Sequence, residues 1–165
     1  MTNSNADAAD HSEGNLDSIF LTFQLDKENY GIAIKYVIEI VGIQPIIKMP
    51  EMPDYIKGII SLREKIIPVI DLRVRFNITC KDYDDRTCII VTDLNGTLTG
   101  LVIDNVTEVL KIDSDEIIEK PEMGARSNHE YIKNLAKKDK HIIFLIDCKK
   151  LINTEKYSND TEHIA

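Results

Sequence analysis

The residue types that most often carry catalysis or bind metals are scattered along this chain. No histidine stands at a ligand spacing from a cysteine or from another histidine. His129-Glu130 does not continue into the zinc motif HExxH, because position 133 is a lysine and not a histidine. Glycine-rich phosphate loops and the GxSxG pattern are absent as well. The sequence therefore predicts no catalytic residue, no metal site and no cofactor. The four histidines are His11, His129, His141 and His163.

Two acidic clusters have the residue types of an ion site or of paired catalytic carboxylates. Asp82-Tyr-Asp-Asp85 lacks the glycine and the distal glutamate of a calcium loop, so it indicates a solvated loop. Asp113-Ser-Asp-Glu116 precedes two isoleucines and is interpreted as the start of a helix or turn. A small metabolite-binding β-barrel stays an alternative. It would need a concave pocket with convergent polar groups, and no residue cluster nominates one.

Composition limits the compartment and the partners. The net charge of −8 argues against nucleic acid, because phosphate binding needs clustered Lys and Arg. No apolar run approaches the roughly 20 residues that span a bilayer, so direct membrane insertion is not expected. The odd, widely spaced cysteines Cys80, Cys88 and Cys148 favour a reducing cytoplasm. Acidic residues dominate both ends, which predicts a disordered tail over 1–16 and a flexible tail over 154–165.

The elements that position the remaining residues are predicted to be short strands. Isoleucine and valine total 35 residues against 12 leucines, and β-branched side chains favour strands. Asn95-Gly96 marks a two-residue hairpin turn, and residues 137–140 mark a second hairpin. Pro68 predicts an edge strand or a bulge. The apolar runs cover 18–25, 30–34, 39–43, 58–62, 65–72, 87–93, 97–102, 109–112, 131–136 and 141–145.

Helices are predicted to be short. Asp71 is a plausible N-cap for the residues that follow it, and Asp147 for residues 148–152. One helical turn is expected over residues 54–57, after Pro53. The chain is therefore expected to be all-β, as a sandwich or a barrel.

One segment is more specific than composition. The chain carries Tyr30-Gly-Ile-Ala-Ile34, Val37-Ile-Glu-Ile40 and Lys65-Ile-Ile-Pro-Val-Ile-Asp-Leu-Arg73, followed by Gly100-Leu-Val-Ile-Asp104 and Phe144-Leu-Ile-Asp147. In this order, over about residues 18–152, these blocks resemble the CheW family of chemotaxis coupling proteins. The resemblance implies two intertwined SH3-like five-stranded β-barrels with short helices. The CheW-like domain would cover 17–153, with one barrel at about 31–84 and the other from about 17–30 plus 85–153.

The resemblance also implies a function. Such proteins are non-enzymatic adaptors that bridge the cytoplasmic tips of methyl-accepting chemoreceptors to the regulatory domain of the histidine kinase CheA, in membrane-associated receptor arrays. A paralogue serving a non-flagellar signalling array is the alternative. Matching positions for the receptor groove are Val37, Glu39, Gly58, Arg63, Gly100, Val106 and Val109. The kinase-facing surface is expected around Ile43, Pro45, Ile47 and Met49.

Ordinary structural roles compete with these assignments. The three valines suit a core, the two glycines suit backbone geometry, and Arg63 and Glu39 suit a solvated surface. Two positions depart from the family pattern, which usually has glycine where this chain has Glu64 and Asn134. Glu64 would be strained by about 1 kcal/mol if its φ is positive, whereas asparagine tolerates that region better.

Overall fold

A computed structural model describes residues 16–121 and 130–152, and both predicted tails lie outside these ranges except for Leu16. The described chain forms two sheets. The five-stranded sheet contains β3 (Val37–Gly42), β4 (Ile56–Leu62), β5 (Lys65–Asp71), β6 (Cys88–Leu94) and β7 (Thr97–Ile103). The six-stranded sheet contains β1 (Ile19–Leu25), β2 (Glu28–Ala33), β8 (Asn105–Lys111), β9 (Ile117–Ile118), β10 (Ile132–Lys138) and β11 (His141–Ile146).

The strand order is β3-β6-β7-β5-β4 in one sheet and β8-β1-β2-β11-β10-β9 in the other. Two short helices follow β5 and β11, and the single-turn 3-10 segments Ile34–Tyr36 and Ser114–Glu116 precede β3 and β9. The helices are α1 (Leu72–Arg75) and α2 (Cys148–Ile152). The all-β prediction is confirmed, and the added two-residue β9 gives one barrel a sixth strand.

The division between the barrels differs from the predicted boundaries. β6 and β7 lie in the same sheet as β3 to β5, so this sheet extends over residues 37–103. The reason is the pairing. β5 runs parallel to β7, with Val69 opposite Gly100, and β3 runs antiparallel to β6. Apolar runs indicate where strands lie, but they do not indicate which strands pair.

The five-stranded sheet is extended by one isolated bridge. Ile47, in the segment after β3, pairs with Ile59 of β4 through two backbone hydrogen bonds of 2.9 and 2.8 Å. We call residues 43–49 the strap. Because β3 and β4 are the two edges of this sheet, the strap connects one edge to the other.

Pro68 does not lie on an edge strand. β5 lies between β7 and β4, so the edge-strand alternative was wrong, whereas the β4–β5 ladder has a register shift between Ile56 and Gly58, beside the Ile59–Pro68 pair. Pairing of β5 with β7 begins at Val69, one residue after the proline. The missing N–H of Pro68 therefore precedes that ladder, which is how an interior strand accommodates it.

The local signals for turns and caps are confirmed. Asn95 and Gly96 have φ values of 54° and 87°, as the tight hairpin between β6 and β7 requires. Asp139 and Lys140 form the equivalent turn between β10 and β11 at 49° and 71°. The Asp71 carboxylate accepts the backbone N–H of Arg73 at 2.9 Å and so caps α1.

Of the two other predicted helical segments, the one after Asp147 forms a helix and the one over residues 54–57 does not. Asp147 accepts the backbone N–H of Lys150 at 3.2 Å at the start of α2, as its predicted capping role requires. Near residues 54–57 a single turn forms, in which the Ile56 N–H donates to the Pro53 carbonyl at 3.0 Å. β4 begins at Ile56, so the turn does not continue into a helix.

The largest core lies between the two sheets. Phe23, Tyr30, Phe76 and Tyr131 form a chain of ring contacts there, with centroids 5.4 to 5.9 Å apart. Burial raises the pKa of Tyr30 to about 12. Each sheet also encloses a smaller apolar cluster, one around Ile60 and Val91 and one around Ile143 and Leu145. The fold is therefore two small barrels joined by a shared aromatic core.

A polar clamp connects the barrels beside that core. The Arg73 guanidinium donates from Nε to Asp104 Oδ1 at 2.8 Å and from Nη2 to Oδ2 at 2.6 Å. It also donates to the Thr79 carbonyl, and the Asp26 backbone N–H donates to Asp104. Only 9% of the Arg73 side chain and 14% of the Asp104 side chain are exposed. We call Asp26, Arg73 and Asp104 the seam.

In the described ranges, no helix is both long and apolar enough to cross a bilayer.

Candidate functional site

Glu39 and Arg63 meet at the gap between the two edges of the five-stranded sheet. Glu39 lies on edge strand β3, and Arg63 lies in the turn between β4 and β5. Arg63 Nη2 is 3.1 Å from Glu39 Oε2, with 77% of the arginine side chain exposed and 21% of the glutamate. Because the arginine is so exposed, the pair adds little stability, and its guanidinium is accessible to a partner.

The turn that carries Arg63 has two residues with positive φ. Arg63 has φ 50° and Glu64 has φ 70°. The turn therefore has the two-residue form seen at Asn95-Gly96, although neither residue is a glycine. Glycine adopts this conformation without strain, whereas in Glu64 it costs about 1 kcal/mol of backbone strain. The other departure, Asn134, has no positive φ and lies just after a register shift between β10 and β11.

The three predicted valines lie on edge strands of the two sheets. Val37 begins β3, whereas Val106 and Val109 belong to β8. Val37 and Val106 are half-buried against the shared core, and Val109 is 56% exposed. Cys88 of β6 lies opposite Gly42 of β3 and packs against the same shared core as Val37 and Val106. The valines therefore line the border between the barrels, with Val109 the most accessible.

The predicted glycines are buried, and this chain itself fills the space beside them. A Cβ on Gly58 would lie 2.2 Å from the carbonyl oxygen of Ile47. A Cβ on Gly100 would lie 2.8 Å from Cγ2 of Ile89. The space beside both glycines is therefore filled by the strap and by β6, and the two residues lie beneath the surface.

The four residues predicted to face the kinase divide into two groups. Ile43 is half-buried and packs on the small core of the five-stranded barrel. Pro45, Ile47 and Met49 are exposed, with Ile47 at 62%. The Ile47–Ile59 bridge fixes the orientation of this segment on the outside of the barrel.

Register reveals apolar neighbours that the sequence argument missed. Ile47 lies opposite Ile59, and Ile59 lies opposite Pro68, so the three form a row across the sheet. Ile66 is 70% exposed and pairs with Ser61 on the next exposed row. The sequence carried no signal for this, because residues 66–70 form one apolar run, whereas in the structure Ile67 and Val69 are buried and Ile66 and Pro68 are not.

Edge strand β3 alternates in the same way. Ile38 and Ile40 are 50% and 43% exposed, whereas Val37, Glu39 and Val41 are half-buried. In the sequence Glu39 interrupts an otherwise apolar run, and the register is needed to separate outward from inward side chains. The exposed isoleucines extend the apolar character of this barrel toward Glu39.

The acidic cluster at Asp113, Asp115 and Glu116 has a structural explanation. Its carboxylate oxygens lie within 4.8 Å of one another. Glu116 and Asp113 form a capping box, in which the Asp113 backbone N–H donates to Glu116 at 2.9 Å. Lys138 Nζ is 3.4 Å from the same glutamate. These carboxylates therefore start a turn, as their position before Ile117 predicted.

Comparison with known proteins identifies the fold. The family model for a CheW-like domain matches residues 20–156. The chain belongs to the CheW-like family. The crystal structure of the scaffolding protein TtCheW from Thermoanaerobacter tengcongensis is similar with a TM-score of 0.74 and 38% identity, over 82% of this chain and 88% of that one.

Relatives named chemotaxis protein CheW agree with this assignment. The one from Klebsiella aerogenes is 36% identical over 137 residues, which are 83% of this chain and 82% of that protein. The one from Treponema pallidum is 29% identical over 140 residues, 82% of each. As a CheW-like protein, the chain is a chemotaxis adaptor of the scaffold type and not an enzyme.

Proposed function

We propose that this chain couples the cytoplasmic tips of methyl-accepting chemoreceptors to the regulatory domain of CheA, by binding alone. It would do so in the cytoplasm, recruited to membrane-associated receptor arrays. The observation that carries the proposal is the presence of two outward surfaces that differ in chemistry. One is mixed and lies at the border of the barrels, and the other is apolar and lies on the five-stranded barrel.

The receptor surface is defined as Val37, Glu39, Arg63, Val106 and Val109. A helical receptor tip would place apolar side chains against the valines. Arg63 would offer its forked guanidinium to a carboxylate of the tip, exchanging or sharing its contact with Glu39. Gly58 and Gly100 support this surface through packing within the chain.

The kinase surface is defined as Ile47, Met49, Ile59, Ile66 and Pro68. Its exposed isoleucines are apolar groups that the fold does not use for its own core. Exposed apolar clusters on a small protein are typical of protein–protein contacts. Ile43 and Pro45 lie in the same strap as Ile47, and Ile43 anchors that strap on the small core of the five-stranded barrel.

Titration calorimetry against the CheA regulatory domain and, separately, against a receptor-tip fragment tests the proposal. Arg63→Ala is expected to weaken only receptor binding, and Ile66→Ser only kinase binding, each by about tenfold. Ile142→Ser is the matched control, because Ile142 is 38% exposed on β11 of the other barrel. Failure of the folded wild-type chain to bind either partner would refute the coupling function.

A further inference from the structure

A groove opens at one end of the six-stranded barrel, apart from the residues of both surfaces above. Its volume is about 600 Å³. It lies where β1 and β10 begin and where β2 and β11 end, because Phe20 pairs with Ala33 and Ile132 pairs with Ile146. Its apolar lining residues are Phe20, Ala33, Ile117, Leu145 and Ile146. We call it the basic groove, for the lysines around it.

Three lysines and two aspartates line this groove: Lys35, Lys133, Lys149, Asp17 and Asp147. Lys35 is already engaged, since its Nζ donates to Asp17 at 2.9 Å and lies 5.3 Å from the centre of the Tyr36 ring. Asp147 is engaged as the cap of α2. Within residues 16–121 and 130–152, Lys133 and Lys149 have no carboxylate at ion-pair distance. Among the described residues, neither of these two lysines is therefore held in an ion pair, and the lining as a whole has one more lysine than aspartate.

The charge of this groove differs from the net charge of the protein and from the charge of the cavity at the other end of the same barrel. The net charge of the protein is −8. The cavity at the opposite end is smaller, about 270 Å³, and contains Glu108 and Asp139. The lysine in this cavity, Lys138, donates a hydrogen bond to the Lys111 carbonyl and forms an ion pair with Glu116. Of the lysines that line these two cavities in the described ranges, Lys133 and Lys149 thus have no ion pair, whereas Lys35 and Lys138 do.

The geometry points to the basic groove as a docking site for an acidic peptide segment of a partner protein, one that carries an apolar anchor residue. Charge complementarity selects the acidic side chains, which would meet Lys133 on β10 and Lys149 on α2. The half-buried apolar residues Phe20, Ala33 and Ile117 would contact the anchor. A free inorganic anion would leave these three side chains uncovered and would find few convergent N–H donors.

The experiment measures fluorescence anisotropy of a short labelled peptide in which glutamates flank one phenylalanine and one leucine. Binding to the full chain is expected at low ionic strength and should weaken as salt is added, because rim charges are screened. Lys133→Glu combined with Lys149→Glu is expected to lower affinity by about tenfold or more. These lysines are exposed, so the variant is expected to fold, which its circular dichroism and thermal midpoint would verify.

A matched control exists in the same elements. Lys137→Glu combined with Lys150→Glu makes the same charge change on β10 and α2, but neither residue lines the groove. It is expected to change affinity by less than about threefold. Equal loss in both double variants would overturn the proposal in favour of net charge. Binding of inorganic phosphate with the same variant dependence, without binding of the peptide, would overturn it in favour of a simple anion site.

Discussion

Two arginine–carboxylate pairs in neighbouring parts of this chain have opposite consequences. Arg63 pairs with Glu39 through one contact, and 77% of the arginine side chain is exposed. Arg73 pairs with Asp104 through two hydrogen bonds, and only 9% of its side chain is exposed. The residue types match, but desolvation differs. A buried ion becomes costly once its partner is removed, whereas an exposed one is rehydrated by water.

The contrast extends to the surroundings of each pair. The seam, Asp26, Arg73 and Asp104, joins the barrels and satisfies its own hydrogen bonds. Arg75, on the same helix as Arg73, lies 3.8 Å and 4.6 Å from the ring centres of Tyr55 and Tyr131. The rim is defined as Glu39, Ile47, Gly58, Arg63 and Glu64. Its side chains are mostly exposed and are positioned by backbone contacts, so the seam supports the fold and the rim is available to partners.

Replacing the seam arginine should give the largest effect. Arg73→Ala leaves the Asp104 carboxylate largely buried without its cation, so the free energy of unfolding is expected to fall by about 3 kcal/mol. Arg63→Ala is the control and should lower it by no more than about 0.5 kcal/mol. Urea denaturation at neutral pH measures both. Similar losses in the two variants would refute the distinction between seam and rim.

Gly58 is the rim residue that should behave like a core residue. Gly58→Ala places a methyl group against the Ile47 carbonyl, so the strap must move, and we expect a loss of about 1–3 kcal/mol. Faster hydrogen exchange at the Ile47 and Ile59 amides would report opening of the bridge. Gly42→Ala is the control, because nothing lies within 4 Å of its Cβ position. An unchanged bridge in Gly58→Ala would contradict the contact.

The pH dependence of stability separates the seam from the rim in another way. Burial opposes the charged form of Asp104, but hydrogen bonds from Arg73 and from the Asp26 backbone outweigh it, so the pKa of Asp104 lies below its ordinary value. The unfolded chain therefore takes up this proton first as pH falls. The stability contributed by Asp104 is complete above its unfolded pKa and is lost as pH falls through the lower, folded pKa.

Urea denaturation at a series of acidic pH values tests this sign. The difference in unfolding free energy between the wild type and Asp104→Asn should narrow as pH falls from about 5 toward the folded pKa. The Arg63→Ala variant should follow the wild-type curve in parallel. If the wild type instead became more stable relative to Asp104→Asn as the pH fell, the predicted direction of the pH dependence would be wrong.

The strands of both barrels were predictable because each is a short β-branched run bounded by turn residues. Asn95-Gly96 fixes a hairpin locally, and Asp71 caps a helix within two residues. The assignment of β6 and β7 was not predictable, since it depends on parallel pairing with a strand far away in sequence. Local propensity identifies an element, whereas the choice of its neighbours is made by packing in three dimensions.

The candidate surfaces show the same limit. The family resemblance indicated Glu39 and Arg63 as site residues, but it did not indicate that they form an ion pair. That contact exists only because the two edges of the five-stranded sheet come close together. Ile66 and Pro68 were missed because a continuous apolar run does not show which side faces outward. The pairing of Arg73 with Asp104 was also invisible, although both residues lay within the blocks that resemble the family.

The smallest expected effect concerns the rim turn. Glu64 has φ 70°, so Glu64→Gly relieves strain of about 1 kcal/mol but adds freedom to the unfolded chain. The net gain in unfolding free energy is expected to be about 0.5 kcal/mol. The reverse change at the corresponding turn position between β6 and β7, Gly96→Glu, should destabilise by a similar amount, because Gly96 has φ 87° and open space around it. Opposite signs in the two variants would show that the rim keeps a strained residue where this chain elsewhere uses glycine, and equal signs would refute the strain assigned to Glu64.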